Sequence, residues 1–454
     1  MKKRVVVTGL GTFNALGHNV EEFWSNCLAG KTRASRIPDH WPLYSDFRSQ
    51  VWSPLPDVDY SKYGITRLES KQMDPTSLIA LACAFQALDS AGLEYTLQNK
   101  RRNTFSIPSV DSAKFGVYMG TGVGGLSSFA SCFSHQMLNR QQDSLTRTLA
   151  DMKEPHAAES VREVLERMRY PRRFNPFGVS MTMPNACSGN VGIKFGLRGN
   201  NLTFCSACAS GTVATGYGFK AVKSGEIELA LVGGVEYLYD DYGSVFLGFD
   251  TVKALTTDNQ EPDKASRPFD KNRTGFLFSQ GGGAVLVIEE LEHAKSRDAE
   301  IFGEIIGYGE SSDGYNIMMM DKSGVDINRM IHQAMEDAGI SEADVDYINA
   351  HGTGTPLNDE TESQLIESIF RKDVLINSTK SLLGHTLGAS GAIEAVVTAL
   401  SIKNKTTHIC KNLDDPIKDL NFVKKVDAYP IKTAISQSFG FGGHNAVLVM
   451  REYQ

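Results

Sequence analysis

Cysteine and histidine are the residues of this sequence whose types and settings could do covalent chemistry. Cys208 stands in SACASGTVATG, where a strand ends and a helix of small residues begins. The free amides and macrodipole of a helix start favour thiolate over thiol, and thiolate is the nucleophile. The same residue reads equally as a buried, inert thiol. Cys205 and Cys208 also form C-x-x-C, the spacing of a redox pair or of half a zinc site. No second C-x-x-C and no closely spaced histidine pair accompany it, which sets zinc aside. A thioredoxin-type pair belongs near the first strand of a much shorter chain.

His351 lies in NAHGTGTPLND, directly after a predicted strand and inside a glycine-threonine turn. His385 lies in STKSLLGHTLGASGAIE, at the start of a second small-residue helix. A lone histidine at a strand end is commonly structural. Two beside glycine-rich turns, where open α/β sheets collect ligand chemistry, point to a site. The segment Gly120–Gly125 satisfies G-x-G-x-x-G after a strand, but no acidic strand end follows about 20 residues later, which disfavours dinucleotide binding. SFGFGGHNAVL, Ser438–Leu448, is either a tight β-turn or a lid whose amides help form an oxyanion hole.

The elements that must position these residues alternate. β-branched runs ending in glycine (Arg4–Gly11, Phe115–Gly125, Leu229–Gly234) are separated by helical stretches such as Ser77–Ala91, which indicates an α/β fold with buried strands. The pattern also repeats at half the chain length. Arg4–Gly11 has a counterpart in Ile301–Gly309, Phe115–Gly122 in Val345–Gly354, and Gly283–Glu289 in Asn445–Arg451. Each half carries one small-residue helix, expected over Ala207–Lys223 and Gly384–Lys403. The expectation is two similar α/β units, 1–295 and 296–454, whose helix starts bring Cys208 and His385 face to face. A polar segment at about 134–173, with an amphipathic helix around Ala157–Met168, reads as an insertion into the first unit. It is either a solvated surface helix or a docking element for a partner.

Bulk properties fit this picture. The chain has 454 residues, 41% hydrophobic and 22% charged, an ordinary globular composition. No apolar run reaches the roughly 20 residues of a membrane span. The basic, then apolar start is too short for a signal peptide and breaks at Gly9 and Gly11, so the expected location is the cytoplasm. A net charge of −7 argues against broad nucleic-acid binding, and seven scattered cysteines do not form a disulfide framework.

Together the motifs VVVTGLG, GTGVGGL, SACASG, LVGGVE, ASRPFDKNRTGF, NAHGTGTPLND, STKSLLGHTLGASGAIE and SFGFGGHN resemble, nearly end to end and in order, the β-ketoacyl-acyl-carrier-protein synthases, most closely the synthase II type. The resemblance implies the thiolase-like, five-layered α-β-α-β-α fold of two duplicated halves, and a homodimer. It implies an acyltransferase of fatty-acid elongation that joins an enzyme-bound acyl thioester to malonyl-carrier by decarboxylative Claisen condensation, with no metal and no cofactor. Cys208 then corresponds to the nucleophile, and His351 and His385 to the histidines that promote decarboxylation. Lys380 supports that pair, and Glu394 is the buried acid on the same helix. The amides of Cys208 and Phe441 form the oxyanion hole, Phe441 gates the second substrate, and Thr353 and Thr355 hold the pantetheine arm. Phe439 and Val123 belong to the substrate site, where the size of Val123 suits medium to long chains. Arg67 and Lys71 are the candidate contacts to the acidic carrier protein.

Several positions depart from that pattern. Leu68 and Ser70 replace basic residues, Asp258 stands where arginine is common, Gln280 replaces an acid, and Met318–Met320 replace a polar stretch. These departures keep open a specialised polyketide or polyene synthase working with a chain-length-factor subunit as a heterodimer. A thiolase would need a second cysteine, for which Cys410 is the late candidate. An inactive partner subunit should lack the nucleophile, which Cys208 contradicts.

Overall fold

The computed structural model describes residues 2–168 and 174–454. Its main sheet is built from β1 (Val5–Phe13), β2 (Phe115–Gly120), β3 (Asn201–Phe204), β4 (Leu229–Tyr237), β5 (Gly281–Glu290), β6 (Gly303–Ser312), β7 (Tyr347–Asn349), β8 (Leu375–Asn377), β9 (Thr433–Gly440) and β10 (His444–Arg451). The first five are ordered β1-β5-β4-β2-β3, and the second five β6-β10-β9-β7-β8. Numbered within its own half, each set runs 1-5-4-2-3. The two sets join edge to edge where β1 pairs antiparallel with β6, Val5 opposite Ile305. The repeat read as motifs is therefore also a repeat of topology.

The strands are apolar along their whole length because both faces are covered; all of β1 is buried. Between the two sets lie α5 (Ser210–Ser224) and α8 (Ser390–Asn404), and their side chains share one apolar cluster with Leu286 of β5 and Leu448 of β10. On the outer face of the first half, α1 (Pro75–Ser90) and α4 (Ala186–Phe195) pack together. On that of the second half, α6 (Val325–Ala338) and α7 (Pro356–Ile369) do so. The layers are thus helix, sheet, helix, sheet, helix.

The central layer explains the composition of its helices. In α8 every residue from Ser390 to Ile402 is buried, which no amphipathic pattern allows. The helices touch at their first turns: a Cβ on Gly391 would stand 2.0 Å from Thr212 Oγ1, and one on Gly211 2.8 Å from the Ala392 nitrogen.

Two expected boundaries move. The helix expected from Gly384 starts at Ser390, because Gly384, at φ 73°, closes the short turn Lys380–Leu383. His385 consequently lies in the connection before the helix. The polar insertion begins inside α2 (Leu126–Asp151), followed by α3 (Pro155–Arg167), whose Glu154 side chain caps the Ala157 amide. The last five residues of the 134–173 segment lie outside the described residues. Among those described, no helix is long and apolar enough to cross a membrane.

Candidate active site

Cys208 and His385 arrive from opposite halves. Cys208 lies on, and His385 just before, a similar piece of backbone: a single 3-10 turn opening on a residue at φ +47° (Ala207, Leu387), then a 15-residue helix that begins Ser-Gly. The two helix starts bring His385 Nε2 to 3.1 Å from Cys208 Sγ. The His351 ring stands 5.5 Å from that of His385, at 83°. All three residues are buried.

Hydrogen bonds assign the ring protons. The Leu387 N–H donates to His385 Nδ1 at 3.3 Å, so the neutral ring carries its proton on Nε2, toward the sulfur. The Lys380 ammonium lies 3.3 Å from His351 Nδ1 and also bonds Glu394 Oε1. His351 therefore also presents an Nε2–H. Burial holds both imidazoles well below their ordinary range, and the Lys380 charge adds to the effect on each. Both are neutral donors at pH 7.

Burial pushes the Cys208 thiol up to about 11, against the pull of the Lys380 charge and the amides of Phe441 and Cys208 itself. A helix start alone does not make this residue a resting thiolate. What it supplies is donors aimed at the sulfur. The Phe441 amide comes from the turn between β9 and β10, which lies close: a Cβ on Gly440 would be 3.2 Å from the Cys208 nitrogen. The Phe441 ring packs 6.3 Å from Phe249, and Phe439 packs 5.4 Å from His351.

Three buried carboxyls surround the centre, each pushed up to about 7, chiefly by burial. Glu394 is restrained by Lys380. Glu362, on α7, accepts the amides of His351 at 2.7 Å and Gly352 at 2.8 Å, and so holds the histidine turn. Glu236, at the end of β4, accepts amides from both halves. The sequence reading named neither Glu362 nor Glu236. The available signal was the acidic stretch after NAHGTGTP and the glutamate ending LVGGVE.

The remaining expected residues fall into two groups. Thr353 and Thr355 stand beside His351 with their hydroxyls 2.9 Å apart. Val123 lies on the loop after β2 and is 40% exposed in the single chain. Arg67 and Lys71 are exposed on a surface segment, around a Leu68 that is 65% exposed, apart from the buried centre. Cys205 and Cys208 are both free thiols, and Cys410 is buried in the cluster under α6 and α7. Gln280, in place of an acid, accepts the Leu55 amide and donates to the Tyr237 hydroxyl. Among the described residues no cluster of three His, Cys, Asp or Glu side chains is arranged to hold a metal ion.

Two halves of this topology meeting at a thiol define the thiolase-like class of condensing enzymes. Residues 2–294 match the family model of the beta-ketoacyl synthase N-terminal domain, and residues 302–414 that of its C-terminal domain. The chain is 35% identical over 461 residues to the 3-oxoacyl-[acyl-carrier-protein] synthase 2 of Vibrio harveyi, covering 99% of each. Among solved structures, a beta-ketoacyl synthase from Burkholderia phymatum is 30% identical with a TM-score of 0.82, covering all of both chains. A chain from a type II PKS acyl-carrier protein in complex with its ketosynthase is 26% identical with a TM-score of 0.83, again over both whole chains. The chain belongs to the β-ketoacyl synthase family.

Proposed function

We propose that this chain is a 3-oxoacyl-acyl-carrier-protein synthase that lengthens fatty acyl chains, with Cys208 as the acyl acceptor. The supporting observation is His385 Nε2 at 3.1 Å from Cys208 Sγ beside a second imidazole in the same N–H form. In the first step the Cys208 sulfur attacks the acyl thioester, the carrier thiol leaves, and the cysteine proton passes to that leaving group. The amides of Cys208 and Phe441 receive the negative oxygen; one such donor contributes about 3 kcal/mol to a transition state. In the second step malonyl-carrier loses CO₂. The resulting enolate oxygen takes N–H donation from His351 and His385. Its carbon attacks the acyl-cysteine, and the released Cys208 thiolate regains a proton from solvent. Lys380 and Glu394 keep His351 in the required tautomer, Thr353 and Thr355 hold the carrier's arm, and Phe439, Phe441 and Val123 bound the acyl site.

The substrates are delivered by an acyl carrier protein, with Arg67 and Lys71 among its contacts. Asn175, just after the insertion, donates to the Lys71 carbonyl at 3.1 Å. Residues 1–295 and 296–454 act as the two halves of one unit. Two copies form a homodimer: among the described residues β3 pairs on one side only, with β2, its Leu202 is 45% exposed, and Ile193 on the neighbouring α4 is 68% exposed. An uncovered strand edge with apolar neighbours calls for a second strand.

Condensation of a saturated acyl-carrier primer with malonyl-carrier by the purified chain alone tests this reading. A product two carbons longer supports it. Failure to elongate without a second subunit overturns it in favour of a specialised synthase paired with a chain-length factor, the reading favoured by the likeness to the type II PKS complex.

A further inference from the structure

Glu236 belongs to LVGGVE, a quoted motif that supplies no residue to the proposed reaction. It is fully buried, and four donors converge on its carboxylate. Oε1 accepts Thr121 Oγ1 at 3.0 Å and the Val123 amide at 3.2 Å. Oε2 accepts the Gly122 amide at 2.6 Å and the Gly388 amide at 3.0 Å. The first three donors lie on the loop after β2, in the amino-terminal half. The fourth lies in the carboxy-terminal half, three residues after His385.

These two backbones have no room between them. A Cβ on Gly388 would stand 2.3 Å from the Gly122 nitrogen and 2.6 Å from Glu236 Oε2. Gly388 is also the counterpart of Cys208: Ala207-Cys-Ala-Ser-Gly and Leu387-Gly-Ala-Ser-Gly share the same positive φ and the same turn. At the first helix start the amide faces the reacting group. At the second, the corresponding amide is already taken by a carboxylate of the chain itself. The loop it holds also lies against the nucleophile's helix start: Ser210 Oγ, which accepts the Ser206 amide and donates to the Ala207 carbonyl at 2.7 Å, is 3.2 Å from the Thr121 carbonyl.

We propose that Glu236 is a positioning residue that clamps the Thr121–Val123 loop to the Gly388 turn and so sets His385 against Cys208 and fixes one wall of the acyl site. The inference rests on Cys208 and His385 being the reacting pair. It requires the carboxylate as such, because four donors need an acceptor on both oxygens. Glu236→Gln keeps the shape but turns an NH₂ group toward one pair of donors. Displacing a catalytic group by about 1 Å costs up to a hundredfold in rate.

The test compares Glu236→Gln with wild type in condensation rate, malonyl-carrier KM, the profile over primers of different length, and thermal unfolding. The clamp predicts a kcat about ten- to a hundredfold lower with KM within about twofold, together with an altered primer profile. An unchanged kcat and profile, or an effect confined to KM, overturns it. If Glu236→Gln does not fold, Thr121→Val decides. That variant removes one of the four donors while leaving both glycine bonds. A several-fold lower kcat at constant KM supports the clamp, and a native kcat overturns it. Wild-type protein that forms no acyl adduct on Cys208 would instead refute the underlying pair, whatever the variants do.

Discussion

The helix starts at Ala207 and Leu387 share a backbone and differ in what faces it. In the proposed reaction the first presents its amides and Cys208 to the substrate. The second places a glycine where the cysteine would be, buries the amide against Glu236, and lends the neighbouring His385 to the first. Duplication produced two equivalent turns at the ends of two buried helices. Only one is kept open, and the other has become its support. The difference teaches that the thiol's reactivity does not come from the helix start as such, since burial leaves Cys208 at about 11. In the proposed mechanism it comes from what the second half brings to the first.

Exchanging the small residues at the two starts should break the symmetry most strongly. Cys208→Ala should abolish condensation and leave thermal unfolding nearly unchanged. Gly388→Ala forces a methyl group against the Gly122 backbone, an overpacking that costs about 1–3 kcal/mol. It should lower the unfolding temperature clearly as well as the rate. Equal unfolding temperatures for the two variants would contradict the close packing at Gly388.

A second prediction concerns pH. Glu394 titrates at about 7, above its ordinary 4.5, even with Lys380 holding it down. Between those values the folded carboxyl binds more protons than the unfolded one, so its contribution to stability is present at low pH and is lost as pH rises through about 7. Lys380→Met leaves a buried carboxyl without its counter-ion, which costs about 3–5 kcal/mol when the group stays charged. Protonation relieves that cost. The unfolding deficit of the variant should therefore be smaller at pH 6 than at pH 8, and the alkylation of Cys208 at pH 8 should slow because a positive charge near the thiol is gone. Equal deficits at the two pH values would contradict the ion pair.

The smallest effect is expected at Ala207, the positive-φ residue paired with Leu387. Ala207→Gly relieves left-handed strain and should change stability by no more than about 1 kcal/mol. Leu387→Gly relieves the same strain but removes a buried side chain, which costs about 2 kcal/mol or more. Thermal unfolding separates them, and a larger loss at Ala207 would reverse the assignment.

Much of this arrangement was legible in the residues. Alternating β-branched runs and glycine turns carry the α/β class, and the spacing of matched runs carries the duplication, because buried strands and small-residue helices leave little freedom of composition. Cys208, His351 and His385 stood out because a cysteine at a helix start and two histidines sit beside glycine-rich segments. Of the supports, Lys380 and Glu394 came with the family resemblance, and Glu236 and Glu362 were not named. Glu236 acts by accepting backbone amides from segments far away in the chain and Glu362 by accepting those of the turn just before its helix, and amides leave no trace in side-chain spacing. The expected start of α8 differs for a related reason: the run from Gly384 is rich in small residues throughout, and only the backbone at Gly384 and Leu387 separates the turn holding His385 from the helix.

The central claim is that the thiol and the imidazoles divide the reaction between them. Release of CO₂ from malonyl-carrier, measured for Cys208→Ala and His385→Ala side by side, tests it most directly. The account predicts that Cys208→Ala still releases CO₂ without forming a condensation product, whereas His385→Ala releases none above background. Normal CO₂ release by His385→Ala, or continued condensation by Cys208→Ala, would contradict it.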